Sequence, residues 1–147
     1  GGNMSSRLFQ EVREERGLAY TVFSYQSSYE DVGVFTIYAS TSVQNLDKLL
    51  VQINQTLLDV IVGGVTEDEL FNAKEQLKGS FVLGLEGTEA HMNRNGTNEL
   101  IHRRHRSVDE VLANIEAISM EQVDELIELI LKAEPAIAII GPKEDVE

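Results

Sequence analysis

The sequence predicts an α+β fold in two layers, with a small, mostly antiparallel sheet of about three strands covered by several helices. Three observations lead to this class. Residues 20–25 and 32–39 alternate with a period of two, the segments after residue 43 have helical periodicity, and 42% of the 147 residues are hydrophobic. A chain of this length fits one domain and buries about two thirds of its unfolded surface. We therefore predict a single domain over residues 1–147.

The chain is predicted to begin with a helix and a β-hairpin. Ser5 or Ser6 can cap the helix, and Gly17 would end it, because glycine readily adopts the left-handed conformation that follows a helix. Aromatic and β-branched residues alternate over 20–25 and again over 32–39, which is typical of strands. The polar residues between these two segments predict a hairpin turn.

Helices are predicted for most of the remaining chain. Apolar residues between positions 43 and 61 form a helical stripe that stops before Gly63-Gly64. Residues 88–103 are also expected to be helical, whereas residues 136–140 after Pro135 are expected to form a third, buried strand. Three further helix starts are predicted where a Ser or Thr has a Glu or Gln three residues later, which is the pattern of a capping box. The pairs are Thr66 with Glu69, Ser107 with Glu110, and Ser119 with Gln122.

The charge and the absent cysteine exclude several classes of function. The chain has 12 basic and 25 acidic residues, and this excess argues against nucleic acid as a partner, because phosphate must be neutralised by clustered Lys and Arg. Residues 107–147 alone hold 2 basic and 11 acidic residues. Solvation explains most of these charges, although an acidic surface also attracts basic peptides. Without cysteine there is no disulfide or thiol nucleophile, and no apolar run reaches the ~20 residues that span a bilayer. We expect no membrane partner and a cytoplasmic location.

The histidines offer a weak candidate for a metal site. Glu99, His102 and His105 are spaced by three residues on a predicted helix, which is one requirement for metal ligands on a common face. Cationic side chains surround them and oppose a metal ion, so we prefer a solvated basic patch that pairs with the acidic helices. The surrounding residues are Arg103, Arg104 and Arg106. His-Glu-x-x-His, His-x-x-Glu-His and Gly-x-Ser-x-Gly are absent, so we predict no metal ligand in this chain.

Arg13 and Tyr20 form a more specific candidate. Arg13 lies near the end of the first predicted helix, and Tyr20 begins the first predicted strand seven residues later. A tight turn would bring a guanidinium, with forked donors for a carbonyl or carboxylate, close to a phenol that can donate to a developing oxyanion. The spacing leaves an alternative open, in which Tyr20 packs into the fold and Arg13 pairs with a neighbouring Glu.

Residues 1–9 (GGNMSSRLF), the segment from Arg13 to Tyr20, and the following hairpin and long helix closely resemble the C-terminal half of pitrilysin/insulinase-type zinc peptidases. The branch they resemble is the bacterial and mitochondrial-processing-peptidase-like one. The resemblance extends to the Ala-Ile-Ala-Ile-Ile-Gly-Pro stretch and so covers nearly the whole chain. It implies that the chain is most of the non-catalytic half of a longer peptidase. That half would pair with an N-terminal, zinc-binding half to enclose unfolded peptides.

The same resemblance implies roles for single residues. Arg13 matches an arginine that binds a substrate backbone carbonyl. Tyr20 matches a tyrosine that contacts the substrate and supports the scissile carbonyl as it becomes an oxyanion, so it has a catalytic role. Asn3 stands where the family's substrate-handling loop commonly has glycine. Zinc would be bound by the partner half, on the same polypeptide or on another subunit, and this chain alone would be inactive.

Further expectations are an unfolded substrate of basic character and a homodimer. Two other functions are left open: a scaffold or assembly subunit of the same fold without peptidase activity, and a free-standing peptide-binding module. The presence of both Arg13 and Tyr20 favours the peptidase, because a scaffold has no evident need for that pair.

Overall fold

The computed structural model describes residues 3–142, which form an antiparallel pair of strands, five α-helices and two short segments of other helix types. The predicted α+β class is confirmed, with two strands in place of about three. The chain divides into two compact units. One unit holds the residues up to Gly64 and those from Ile127 onward, and the other is Val65–Leu126.

The first unit begins with a helix that is wound as a π-helix over Phe9–Glu14. Ser6 provides the cap that the sequence predicts, since its hydroxyl oxygen accepts a hydrogen bond from the N–H of Phe9 at 3.4 Å. The same hydroxyl donates to the carbonyl of Asn3 at 2.8 Å, which ties the preceding turn to the helix.

Gly17 ends this helical segment, as predicted. Its φ is +58°, in the left-handed region that a residue without a Cβ adopts at no steric cost. The N–H of Gly17 donates to the carbonyl of Arg13 at 3.0 Å, and the N–H of Leu18 donates to the carbonyl of Val12 at 2.9 Å. The chain therefore turns sharply between Arg13 and Tyr20.

The hairpin follows directly, with strand β1 over Thr21–Ser28 and strand β2 over Gly33–Ser40. The strands are antiparallel and in register along their whole length. Three aromatic side chains meet on one face of the hairpin. The ring centre of Phe23 lies 6.0 Å from that of Tyr25 and 5.1 Å from that of Tyr38.

The predicted third strand is wrong. Residues 136–140 form no strand, and in the described part of the chain the sheet contains β1 and β2 alone. Ile137 and Ile139 are 61% and 58% exposed, so the apolar stretch is not buried either. An apolar run shows which residues can be buried, but a strand also needs a neighbour whose backbone N–H and C=O groups pair with its own. Residues 3–142 offer this segment no such neighbour.

A 3₁₀ turn over Val43–Asn45 leads into helix α1, Leu46–Gly63, which ends at Gly64 with a φ of +66°. This matches the predicted helix and its glycine stop. The small core of the unit joins the π-helix, β1 and α1, and Val12 is its one fully buried side chain among the described residues. The buried apolar residues are Leu8, Val12, Ala19, Val22 and Leu49.

Helix α1 also buries two polar side chains, Gln52 and Thr56. Both have partners, as buried polar groups require. The Gln52 side-chain amide donates to a carboxylate oxygen of Glu11 at 3.2 Å, and the Thr56 hydroxyl donates to the carbonyl of Gln52 at 2.9 Å. Glu11 belongs to the π-helix, so the first hydrogen bond connects two elements of this unit.

The second unit contains helices α2 (Glu67–Leu83), α3 (Thr88–Leu100) and α4 (Val108–Glu116), and α5 (Met120–Leu131) spans the boundary of the two units. The two reciprocal bonds of a capping box form before α2. The Thr66 hydroxyl oxygen accepts from the N–H of Glu69 at 3.2 Å, and the Glu69 carboxylate accepts from the N–H of Thr66 at 2.7 Å.

The other two predicted helix starts are also confirmed, but only one has a complete capping box. Ser119 and Gln122 exchange both bonds, at 3.0 and 3.2 Å, before α5. Ser107 accepts from the N–H of Glu110 at 3.0 Å before α4. The Glu110 carboxylate pairs with Arg104 at 2.6 Å. A stronger, charged partner thus replaces the second bond of that box.

Within residues 3–142, no single helix has both the length and the apolar composition needed to cross a membrane. One bent pair of segments among these residues, Val43–Gly63 and Glu67–Leu83, meets both requirements when the two are counted together.

Candidate functional site

The structure brings the predicted pair of side chains together. The guanidinium carbon of Arg13 lies 4.8 Å from the centre of the Tyr20 ring, within the ~6 Å of a cation–π contact. Tyr20 does not pack into the core, because 80% of its surface is exposed. The juxtaposition arises from the turn at Gly17, which reverses the chain between the π-helix and β1.

A third residue, Phe9, completes this cluster. Its ring centre lies 4.7 Å from the guanidinium carbon of Arg13, so the cation contacts two aromatic rings. Phe9 lies outside the pair that the sequence predicts. The available signal was its spacing of four residues from Arg13 on a helix, which places two side chains on the same face. We refer to Phe9, Arg13 and Tyr20 as the arginine–aromatic cluster.

Buried residues anchor the cluster on both sides. Val12, immediately before Arg13, is fully buried, and Ala19, immediately before Tyr20, is only 5% exposed. Both belong to the core that joins the π-helix, β1 and α1. The backbone from which each functional side chain projects is therefore fixed by packing, while the side chains themselves remain accessible.

Nearby carboxylates interact only weakly with Arg13. Its Nε lies 3.7 Å from the Glu14 carboxylate, and both side chains are exposed, so this ion pair contributes about 0–1 kcal/mol at most. Glu11 instead lies 3.6 Å from Arg16 and accepts the hydrogen bond from Gln52. The alternative predicted that Arg13 pairs with a neighbouring Glu, and among the described residues the long contact to Glu14 is the one ion pair of this kind.

The arrangement can donate hydrogen bonds to an extended peptide. A guanidinium has five N–H donors in one plane, and a phenol adds a hydroxyl donor. Stacking on aromatic rings occupies the flat faces of a guanidinium and leaves the donors at its edge available. The cluster can therefore bind carbonyl oxygens without supplying a nucleophile or a metal ligand of its own.

The histidine candidate has a different geometry from the one predicted. Helix α3 ends at Leu100, and Arg103 has a φ of +50°, so Glu99, His102 and His105 do not share one face of a helix. In the described part of the chain, no group of three or more His, Asp or Glu side chains is arranged to hold a metal ion.

The arginines around these histidines make structural contacts. Arg104 pairs with Glu110, Nε of Arg106 donates to Oδ1 of Asn98 at 3.3 Å, and Arg94 donates to the carbonyl of Arg106. The pairing of Arg104 with an acidic residue of α4 agrees with the preferred interpretation of a basic patch beside an acidic helix.

The family model described as "Peptidase M16 inactive domain" matches residues 1–77, more than half of the chain. The chain belongs to the peptidase M16 family. The resemblance to zinc peptidases, drawn from the first twenty residues and the following hairpin, is confirmed, and the matched M16 segment contains the whole arginine–aromatic cluster.

Curated relatives of the chain are named as zinc proteases. An uncharacterized zinc protease of Bacillus subtilis is 47% identical over 97% of this chain and 35% of its own length. An uncharacterized zinc protease of Streptomyces coelicolor is 45% identical over 99% of this chain and 32% of its own length. This chain therefore spans about a third of the length of the relatives that it matches.

Solved structures agree with the M16 assignment. A peptidase M16 inactive domain from Pseudomonas fluorescens superposes with a TM-score of 0.76 at 25% identity, over 88% of this chain and 31% of that one. A conserved protein from Enterococcus faecalis superposes with a TM-score of 0.73 at 27% identity, over 87% of this chain and 30% of that one. Both likenesses extend well beyond residue 77, so the M16 fold includes the helices that follow α1.

The relatives are named as zinc proteases, but residues 3–142 of this chain contain no set of side chains arranged to bind zinc. A protein zinc site uses three or four Cys, His, Asp or Glu side chains, whereas this chain has no cysteine and the described residues place no such group together. The described residues therefore do not fit a zinc centre, and the chain is an M16 inactive domain of zinc-protease-like proteins.

Proposed function

We propose that this chain is the substrate-binding, chamber-forming half of a zinc metalloendopeptidase that hydrolyses unfolded peptides. In this proposal the zinc and its ligands belong to an N-terminal half, on the same polypeptide or on a partner subunit. Membership of the M16 family and the names of the relatives support the reaction class. The observation that carries the proposal is the 4.8 Å contact between Arg13 and the exposed Tyr20.

Each side chain of the pair has a defined part in the proposal. Arg13 donates N–H groups to a backbone carbonyl of the peptide and so holds its main chain in place. The hydroxyl of Tyr20 donates to the scissile carbonyl oxygen, and this hydrogen bond strengthens as negative charge develops there. Because only the second interaction grows in the transition state, Tyr20 acts mainly on kcat and Arg13 on substrate binding.

We further propose that the substrates are basic. Helices α4 and α5 carry many acidic side chains and have no basic residue in their last turns. Examples are Asp109, Glu116, Asp124 and Glu125. A surface of one sign raises the local concentration of ligands of the opposite sign. We also propose that the peptidase is located in the cytoplasm and forms a homodimer.

The test uses the full-length parent protein. Arg13→Ala and Tyr20→Phe are compared with the wild type for zinc content and for cleavage of an unstructured, basic peptide. Loss of a charge-assisted hydrogen bond lowers kcat/KM about tenfold to hundredfold, and loss of an oxyanion donor lowers kcat about 10²–10³-fold. Zinc content should stay the same in both variants.

Two variants serve as controls. Tyr29→Phe removes a hydroxyl from another exposed tyrosine, which lies outside the cluster, and Arg16→Ala removes an arginine that pairs with Glu11. Both should keep wild-type turnover. Unchanged turnover in Arg13→Ala and Tyr20→Phe would refute the site. A parent protein that neither binds zinc nor cleaves peptides would instead support the scaffold function.

A further inference from the structure

We infer that Phe9 is a positioning residue that acts through Arg13. Its ring and that of Tyr20 hold the guanidinium so that the N–H edge stays available to a peptide backbone. This inference rests on the proposed function, because it assigns Phe9 to the same substrate-binding site. Phe9 would act through Arg13, without itself contacting the peptide or the reacting atoms.

The distances identify the two rings as the main partners of Arg13. The guanidinium carbon is 4.7 Å from the Phe9 ring centre and 4.8 Å from the Tyr20 ring centre, so the two contacts are equivalent in length. The contact to Glu14 is 3.7 Å between charged atoms, longer than a hydrogen bond, and both side chains face water. Without Phe9, the guanidinium would retain the Tyr20 ring, and the Glu14 carboxylate would attract it away from its present position.

The backbone of the cluster supports the same assignment. The π-helix begins at Phe9 and includes Arg13, and the N–H of Glu15 donates to the carbonyl of Gln10, five residues earlier, at 2.9 Å. Segments of π-helix are rare and occur frequently at functional sites. The buried Val12, directly before Arg13, anchors this helix in the core, so the backbone that carries Phe9 and Arg13 is held in place.

The benefit of this arrangement is an ordered cation. A free arginine samples many rotamers, and a ligand that binds it must first restrict this freedom. Two aromatic contacts restrict it in advance, and a guanidinium that stacks on a ring keeps its in-plane donors free for a ligand. The side chain of Arg13 is still 36% exposed, so a peptide can reach it.

The test is a double-mutant cycle in the full-length parent protein, with Phe9→Leu, Arg13→Ala and the double variant. Loss of one exposed cation–π contact should lower kcat/KM about twofold to fivefold, through a higher KM with an unchanged kcat. In the Arg13→Ala background, Phe9→Leu should have no further effect. Phe9→Tyr keeps an aromatic ring and should restore wild-type kinetics even if Phe9→Leu weakens the fold.

A second measurement observes the Arg13 side chain directly and does not depend on peptidase activity. In parent protein labelled with ¹⁵N at arginine Nε, the Arg13 signal, assigned by its loss in Arg13→Lys, should shift in Phe9→Leu and return in Phe9→Tyr. Equal effects of Phe9→Leu with and without Arg13, or an unmoved Arg13 signal, would overturn the positioning role alone. Unchanged cleavage by Arg13→Ala would remove the proposed function and this inference together.

Discussion

The carbonyl of Val12 accepts a hydrogen bond from the N–H of Leu18 at 2.9 Å. This bond closes the turn in which Gly17 adopts a φ of +58°. Residues on both sides are buried, so the turn is held by the core as well as by its own hydrogen bonds. The position of Tyr20 relative to Arg13 therefore depends on one backbone conformation.

Gly17→Ala should destabilise the protein by on the order of 1 kcal/mol. An added Cβ at Gly17 meets no atom within 4 Å, so the cost comes from the left-handed φ and not from a clash. The measurement is the midpoint of urea unfolding of the parent protein. Gly79→Ala is the matched control, since Gly79 also has open space but lies inside α2, where alanine should stabilise by about 0.5–1 kcal/mol. Equal shifts of the same sign would contradict this explanation.

Tyr20→Phe and Tyr20→Leu should have different kinetic effects. Phenylalanine retains a ring for Arg13 and removes only the hydroxyl, so kcat should fall about 10²–10³-fold with little change in KM. Leucine removes the ring as well, so KM should also rise, because the guanidinium loses one of its two aromatic partners. Steady-state kinetics of the parent protein test this. Identical KM values for the two variants would show that the Tyr20 ring does not hold Arg13.

Thr66→Ala should destabilise helix α2 by about 1 kcal/mol, because it removes the hydroxyl that accepts from the N–H of Glu69 at 3.2 Å. Hydrogen exchange of the first-turn amides of α2 in the parent protein is the most local measurement. Ser107→Ala is the comparison. It removes the cap of α4, where the Glu110 carboxylate remains held by Arg104, so exchange should increase in α4 and not in α2.

The ion pair of Lys78 and Glu116 should contribute to stability over a wide range of pH. The Lys78 ammonium lies 2.8 Å from the carboxylate and, by hydrogen bonding and charge, lowers the pKa of Glu116. Hydrogen bonds to Glu116 and Glu75 raise the pKa of Lys78. The contribution of Glu116 is therefore complete above its usual pKa and disappears as the pH falls through its lowered pKa. That of Lys78 is complete below its usual pKa and disappears as the pH rises through its raised pKa.

A double-mutant cycle with Lys78→Met and Glu116→Gln measures this pair in the parent protein. The coupling should be small, because both groups face water, and it should decrease with added salt. It should be constant around neutral pH and vanish under strongly acidic conditions. A coupling that grows on acidification would contradict the assigned direction of the Glu116 pKa.

Local signals in the sequence predicted local features correctly. Ser6, Gly17, Thr66 and Ser119 act at helix ends as expected, because a cap or a left-handed turn is determined by residues within a few positions. The approach of Arg13 to Tyr20 was predictable for the same reason, since the turn between them is short.

The features that the sequence did not predict depend on which side chains and strands the tertiary structure brings into contact. The stretch 136–140 has the composition of a strand, but a strand forms only where another backbone pairs with it. Glu110 has the spacing of a capping box, but Arg104 provides a stronger partner. Phe9 is four residues before Arg13 on the first helix, but the spacing alone does not decide between a place in the core and the contact with the guanidinium that the structure shows.

The hydrogen bond from Gln52 to Glu11 joins positions that lie 41 residues apart in the sequence. It holds the Glu11 carboxylate against α1 and so ties the helix that carries Phe9 and Arg13 to α1. An apolar replacement of Gln52 would remove this donor from the half-buried carboxylate and leave it the 3.6 Å contact to Arg16. Evolution should therefore treat the two positions as one unit: homologues that lose the amide at 52 should also lose the acid at 11, although neither residue belongs to the arginine–aromatic cluster.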